Sequence, residues 1–373
     1  MLLIALLCLP LASACGQKGE LQYVSVGNGY AVSGYSGTKK DVVVPDTYKG
    51  QSVVAIGENA FLNNTVVTKV TLPESVAKIG ANAFSGASEL KEVLAPAPAK
   101  LRVVEQYAFS GCEKMTTFDG VEGLTTIGKG AFLGCKAWDA EITIKAIEVP
   151  DEVFMNCASL QKVTIEENVA MLGKSSFEGC TSLFSVMIDG DLISVGDNCF
   201  KNCASLASIN LPMTLTSIPS ACFLGCTSLQ NVNFQESLEN IGREAFRGCT
   251  SLEEVEIPGG TSLAWDAFRD CTGLERVTLE YGIAIIPQNC FRGCTSLVSV
   301  SLPESLKSII WEAFKDCKSL EKIIIPASCT SLDGYLFDGC EKLTIYCRSS
   351  DVNLNTSPPW TGNRPVVTGY KGN

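Results

Sequence analysis

Glu254 and Glu256 bracket a single apolar residue, Val255. On a strand, two carboxylates so placed share one face roughly 6.5–7 Å apart, not far from the separation glycosidases use. A flat, water-washed sheet would neither raise one carboxyl pKa nor enclose a sugar, so the pair predicts no hydrolase by itself. The chain has no histidine. The usual general base, the Ser-His and Cys-His nucleophile pairs and the commonest zinc ligand are therefore missing. No phosphate-binding glycine loop and no cluster with metal-ligand spacing occurs. The expectation is no catalytic residue, no cofactor and no metal.

Eighteen cysteines are the other reactive resource. In an exported chain they would ordinarily suggest a disulfide framework. Eleven of them, from Cys112 to Cys340, instead fall three residues after a recurring Phe, a slot that Asn64 and Ala87 fill in the first two units. A slot accepting Cys, Asn and Ala is a small inward site. Parallel side-chain directions disfavour bridging between neighbours, and a buried ladder of unreactive thiols is expected. Cys199, Cys222 and Cys290 precede their Phe in a slot usually held by Ala and read as core. Cys329 and Cys347 lie outside the ladder, where one disulfide could form.

The elements that position these residues follow from the repeat. Phe recurs from Phe61 through Phe337 at intervals of 22, 23 or 25 residues, giving about 13 units of ~23 residues. An apolar residue stands five before each Phe, from Ile56 to Leu332. Pairs such as Val163/Ile165, Ile209/Leu211, Val255/Ile257 and Ile323/Ile325 follow nine and eleven after it. Those pairs have the period of a strand. The Phe, the residue three on and the residue six on would share one face of a helical or 3₁₀ turn. The predicted fold is an α/β repeat solenoid of the leucine-rich type. Short parallel strands line a concave face, helical or 3₁₀ turns lie opposite, and both ends are capped. A right-handed parallel β-helix is the rival, with turns of similar length. Two irregularities, Ala95-Pro96-Ala97-Pro98-Ala99 and the substitution of Trp138 with Ile142/Ile144 slipped by one, read as tolerated bulges.

Units such as Ala245-Phe246-Arg247-Gly248-Cys249-Thr250-Ser251-Leu252-Glu253-Glu254-Val255-Glu256-Ile257-Pro258 resemble the BspA-like leucine-rich repeats, a class of surface proteins. Asn28-Gly29-Tyr30-Ala31-Val32-Ser33-Gly34-Tyr35 with Asp41-Val42-Val43-Val44-Pro45 resembles that family's N-terminal cap, and Arg364 to Gly372 its C-terminal segment. The resemblance implies surface adhesion, with host matrix proteins among the partners.

The ends carry the addressing. Residues 1–14 read as a signal peptide, uncharged and apolar, with Ala12-Ser13-Ala14 as a small-x-small cleavage pattern but no positive n-region. Leu11-Ala12-Ser13-Ala14-Cys15 also resembles a lipobox, which would make Cys15 lipid-anchored; plain secretion fits the same residues. The remaining divisions are 15–50 as N-terminal cap with the first strand, 51–347 as repeats, and 348–373 as a C-terminal cap or tail, with Pro358-Pro359-Trp360 as a lid over the last core. No other stretch approaches membrane-spanning length. The net charge of −11 argues against nucleic acid and against anionic membrane surfaces.

Residues eight and ten after Phe should point out from the strands. In the middle of the chain they are Ser208, Asn210, Asn231, Asn233, Glu254, Glu256, Arg276 and Thr278. A polar strip of this kind on a repeat scaffold suits an extended partner. The reading is a non-catalytic, exported or cell-surface recognition protein binding an extracellular protein or glycan. A purely structural surface protein and a β-helix carbohydrate-active enzyme are the alternatives.

Overall fold

The computed structural model describes residues 20–95, 100–352 and 359–372. The signal and lipobox readings, Cys15 and Pro96–Ala99 lie outside the described residues. The chain winds into a parallel-strand β-solenoid of about 14 turns. Each regular coil contributes two strands. One carries the Val-x-Ile pairs, as in Lys162–Ile165, Ser185–Ile188, Glu254–Ile257, Arg276–Leu279 and Lys322–Ile325. The other has two residues and ends on the apolar residue five before Phe, as in Met171–Leu172, Ser217–Ile218, Asn240–Ile241 and Ser308–Ile309. Both kinds stack on their counterparts in parallel register, Val163 opposite Val186 and Ile241 opposite Leu263. The sequence pattern predicts one strand per unit; the second is a finding.

The predicted helical half is corrected. Among the described residues the sole helical element is the short 3₁₀ turn Val121–Gly123. The Phe segment is a chain of tight turns instead. Ala60, Leu62 and Asn64 donate their N–H to Gly57, Asn59 and Phe61 within the coil, at 3.4, 3.1 and 3.1 Å. The alternate donors Asn59, Phe61 and Asn63 reach Ala81, Ala83 and Ser85 of the next coil, at 3.0, 2.6 and 2.7 Å. The residues two before and two after the repeat Phe have positive φ in every unit, for example Asn198 (58°) and Asn202 (59°). A left-handed residue at those places is what a type II turn requires, and it prevents a right-handed helix from propagating. The slot two after Phe is accordingly always Gly, Asn or Asp. Half of each segment's N–H groups are thereby freed to tie coil to coil.

The core is one continuous column. The repeat Phe rings stack face to face from Phe61 to Phe337, with centroids 4.8 Å apart at Phe61–Phe84 and 5.7 Å at Phe314–Phe337. Tyr35 lies on Phe61 at one end, and Trp360, fully buried, meets Phe337 edge-on at the other. Trp138 is buried against Phe132 at 4.9 Å, and its coil keeps strand register, Ile142 opposite Val163. Before the first coil the strand Leu21–Val26 pairs antiparallel with Gly29–Tyr35, which joins the two-residue strand stack through Gln51–Ile56.

Candidate functional site

The polar strip is built by alternation. Ile209, Val232, Val255 and Val277 point into the column and are buried, so their neighbours on each side must face out. Parallel pairing then sets them in rows: Ser208 beside Asn231, Asn210 beside Asn233, Glu254 beside Arg276 and Glu256 beside Thr278. All are exposed except Thr278, which is half-buried. The eight residues named from sequence thus lie on the outward faces of two successive parallel sheets, Ser208–Asn210 with Asn231–Asn233 and Glu254–Ile257 with Arg276–Leu279, across four consecutive coils.

The electrostatics divide the strip. The Arg276 guanidinium donates from Nη2 and Nε to one oxygen of Glu254, at 2.8 and 3.1 Å, and from Nη1 to Glu275 at 3.3 Å. These carboxylates raise the Arg276 pKa further, so it is a fixed cation. Glu254 is consequently engaged along the strip, whereas Glu256 is not its hydrogen-bond partner. Asn231, Asn233, Glu254 and Glu256 with Glu236, Glu280, Phe234 and Pro258 line one open depression. Phe234 anchors its floor, packing edge-on against Phe246 at 5.5 Å. Glu280 closes one side by accepting the Gly259 N–H at 3.0 Å. The two carboxylates stand in water rather than in an enclosing pocket. No group of His, Cys, Asp and Glu among the described residues has a metal-holding arrangement.

Toward the ends of the face, cations lie over aromatic rings. Lys162 sits 5.7 Å above Phe184 and pairs with Glu141 at 2.6 Å. Lys322 sits 5.4 and 5.3 Å from the rings of Tyr346 and Tyr370. The exposed rings Trp265 and Trp311 lie elsewhere, three residues before their repeat Phe. The sequence signal for them was present, since a slot otherwise held mostly by polar or small residues carries Trp twice.

Among the described residues the cysteines are all structural in placement. Those from Cys112 to Cys347 are buried free thiols, Cys329 and Cys347 included, so the disulfide envisaged there is absent. Burial pushes the thiol of Cys199, Cys226, Cys271 and Cys329 up to about 12 and that of Cys347 to about 11.

The BspA type leucine-rich repeat region matches this sequence over residues 44–157, 147–274 and 261–356, in 6 copies. The chain belongs to the BspA-type leucine-rich repeat family. A leucine-rich repeat protein from Bacteroides ovatus is 28% identical, with a TM-score of 0.69 over 89% of this chain and 88% of that one. The pneumococcal vaccine antigen PcpA shares the fold at 18% identity and a TM-score of 0.55, over 94% and 98% of the two chains. A leucine rich cell surface protein from Faecalibacterium prausnitzii is 22% identical, with a TM-score of 0.49 over 77% and 94%. Comparison with curated proteins gives no match. No helix among the described residues of this BspA-type chain is long and apolar enough to cross a membrane.

Proposed function

We propose that this BspA-type protein is a non-catalytic recognition protein of the cell surface, exported by its N-terminal segment and holding an extended protein or glycan partner along the strip from Ser208 to Thr278. The observation carrying this reading is the paired rows of outward polar side chains on a backbone fixed by buried Ile209, Val232, Val255 and Val277. A rigid face of this kind loses little conformational entropy when it binds. The Glu254–Arg276 pair adds a fixed charge pattern that orients a partner more than it adds affinity. Lipidation of Cys15 would anchor the molecule, and an acyl mass on the mature N-terminal peptide tests that separately.

The experiment is binding of the purified mature chain to arrayed matrix proteins and glycans, beside a variant carrying Asn231→Lys, Asn233→Lys and Arg276→Glu. Saturable binding lost in the variant supports the strip as the recognition face. Binding equal in both would remove the strip from the reading, and no binding at all would favour a structural role.

A further inference from the structure

Of the four tryptophans, Trp138 and Trp360 are buried in the column, while Trp265 and Trp311 are 57% and 41% exposed. Both exposed indoles occupy the slot three before the repeat Phe, two coils apart, with Gln288 in the same slot between them. One hydrogen-bond ladder fixes that slot. The carbonyl oxygens of Trp265, Gln288 and Trp311 accept the N–H groups of Glu244, Asp266 and Asn289 at 3.1, 3.1 and 3.0 Å. Two coils at ~4.8 Å each set the indoles roughly 10 Å apart along the solenoid axis. Tyr335 extends the row by one coil, its ring centroid 5.9 Å from Trp311.

The charges beside the row are ion-paired, with three carboxylates serving five cations. Asp266 pairs with Arg269, Glu312 with Arg292 and Lys315, and Glu244 with Arg243 and Arg247. The row therefore offers two exposed indole surfaces flanked by ion-paired side chains, with the Lys315 ammonium 6.0 Å over the Tyr335 ring.

We propose that Trp265, Gln288, Trp311 and Tyr335 form a binding site for an extended β-1,4-linked polysaccharide lying along the solenoid axis. The C–H face of a pyranose ring is apolar and stacks on an indole, which presents a broad rigid surface with a polar N–H at its edge. In an extended β-1,4 chain every second ring shows the same face, and the two-coil spacing is close to the length of that disaccharide repeat. The Gln288 amide, half-buried between the indoles, meets the hydroxyls of the intervening sugar. This site is separate from the strip between Ser208 and Thr278.

The test is a fluorescence titration of the full mature chain with cellohexaose, chitohexaose and maltohexaose, since only the exposed tryptophans can respond to a bound sugar. The expected result is saturable binding of a β-1,4 hexasaccharide with a spectral shift, at least tenfold weaker for its disaccharide and for maltohexaose. Trp265→Ala and Trp311→Ala should each weaken it at least tenfold with the melting temperature unchanged. The strip variant should bind the sugar normally, which separates this site from the recognition face. Absence of any response at millimolar hexasaccharide overturns the proposal. So does binding, read by calorimetry, that survives Trp265→Ala combined with Trp311→Ala, or a tryptophan-dependent protein partner with no sugar response.

Discussion

The thiol of Cys226 donates a hydrogen bond to the carbonyl oxygen of Phe200 one coil away, at 3.1 Å. That carbonyl already accepts the Cys203 N–H at 3.1 Å, so the thiol takes its second lone pair. The same bond recurs from Cys112 on Phe84 to Cys340 on Phe314. The ladder cysteine is thus a small apolar filler carrying one weak donor aimed at an underused acceptor. Asn64, in the same slot of the first unit, turns its side-chain oxygen to the N–H groups of Val66 and Val67 instead.

Thiol chemistry should therefore be silent in the folded state. With a colourless thiol-specific disulfide reagent at pH 8, the cysteines from Cys112 to Cys347 should react only as denaturant unfolds the coils. Their modification should then track the loss of circular dichroism. Rapid modification of the native protein would contradict a closed column.

Alkali should unfold this protein through the same ladder. Burial raises the thiols of Cys199, Cys226 and Cys271 from 9.0 to about 12. Well below pH 9 both folded and unfolded chains keep these protons, and stability is unaffected. Above it the unfolded chain releases them while the folded chain holds them, so stability falls between pH 9 and about 12, by roughly 1.4 kcal/mol per pH unit for each such thiol. Urea midpoints under reducing conditions at pH 8, 9 and 10 should drop progressively. Replacing these three residues by Ala should lessen the slope by their share, the other buried thiols keeping the rest.

Removing one ring from the aromatic column should unzip it locally. Phe246 lies 5.2 Å from both Phe223 and Phe268. Phe246→Ala should cost about 3–5 kcal/mol, as large core truncations do. Because contacts run only between neighbouring coils, hydrogen exchange should accelerate first in the coils of Phe223 and Phe268. Uniform acceleration over all coils would argue for global cooperativity instead.

Opposite substitutions at two left-handed positions should move stability in opposite directions. Ala221 holds φ at 52° without the freedom of glycine, so Ala221→Gly should raise stability by about 0.5–1 kcal/mol. Gly225 has φ of 74°, and a Cβ there would stand 2.5 Å from Asn202 Oδ1 of the previous coil. Gly225→Ala should lower stability by about 1–3 kcal/mol, read by thermal melting.

Much of this architecture was legible in the residues. The Phe period, the Val-x-Ile pairs and the Cys slot fixed a solenoid with an inward column, because only residues recurring at coil length can stack. The outward strip followed from strand alternation alone. The three-residue spacing of Phe, Cys and Leu misled, since it fits a helical face as well as successive tight turns. Positions such as Tyr107, Glu152 and Glu312 gave no composition signal for left-handed backbone. Their conformation is imposed by hydrogen bonds to the next coil, which are not local.

By itself, then, the sequence determined the coil length, the inward residues and the family resemblance, all of which depend on local period and residue size. Tertiary structure alone decided that each regular coil carries two strands and tight turns in place of a helical half, that Cys thiols meet Phe carbonyls, that Arg276 engages Glu254, and that Trp265 and Trp311 share one slot two coils apart. Each of these joins residues roughly one or two repeats apart, and only the stacking of whole coils sets what faces what at that separation.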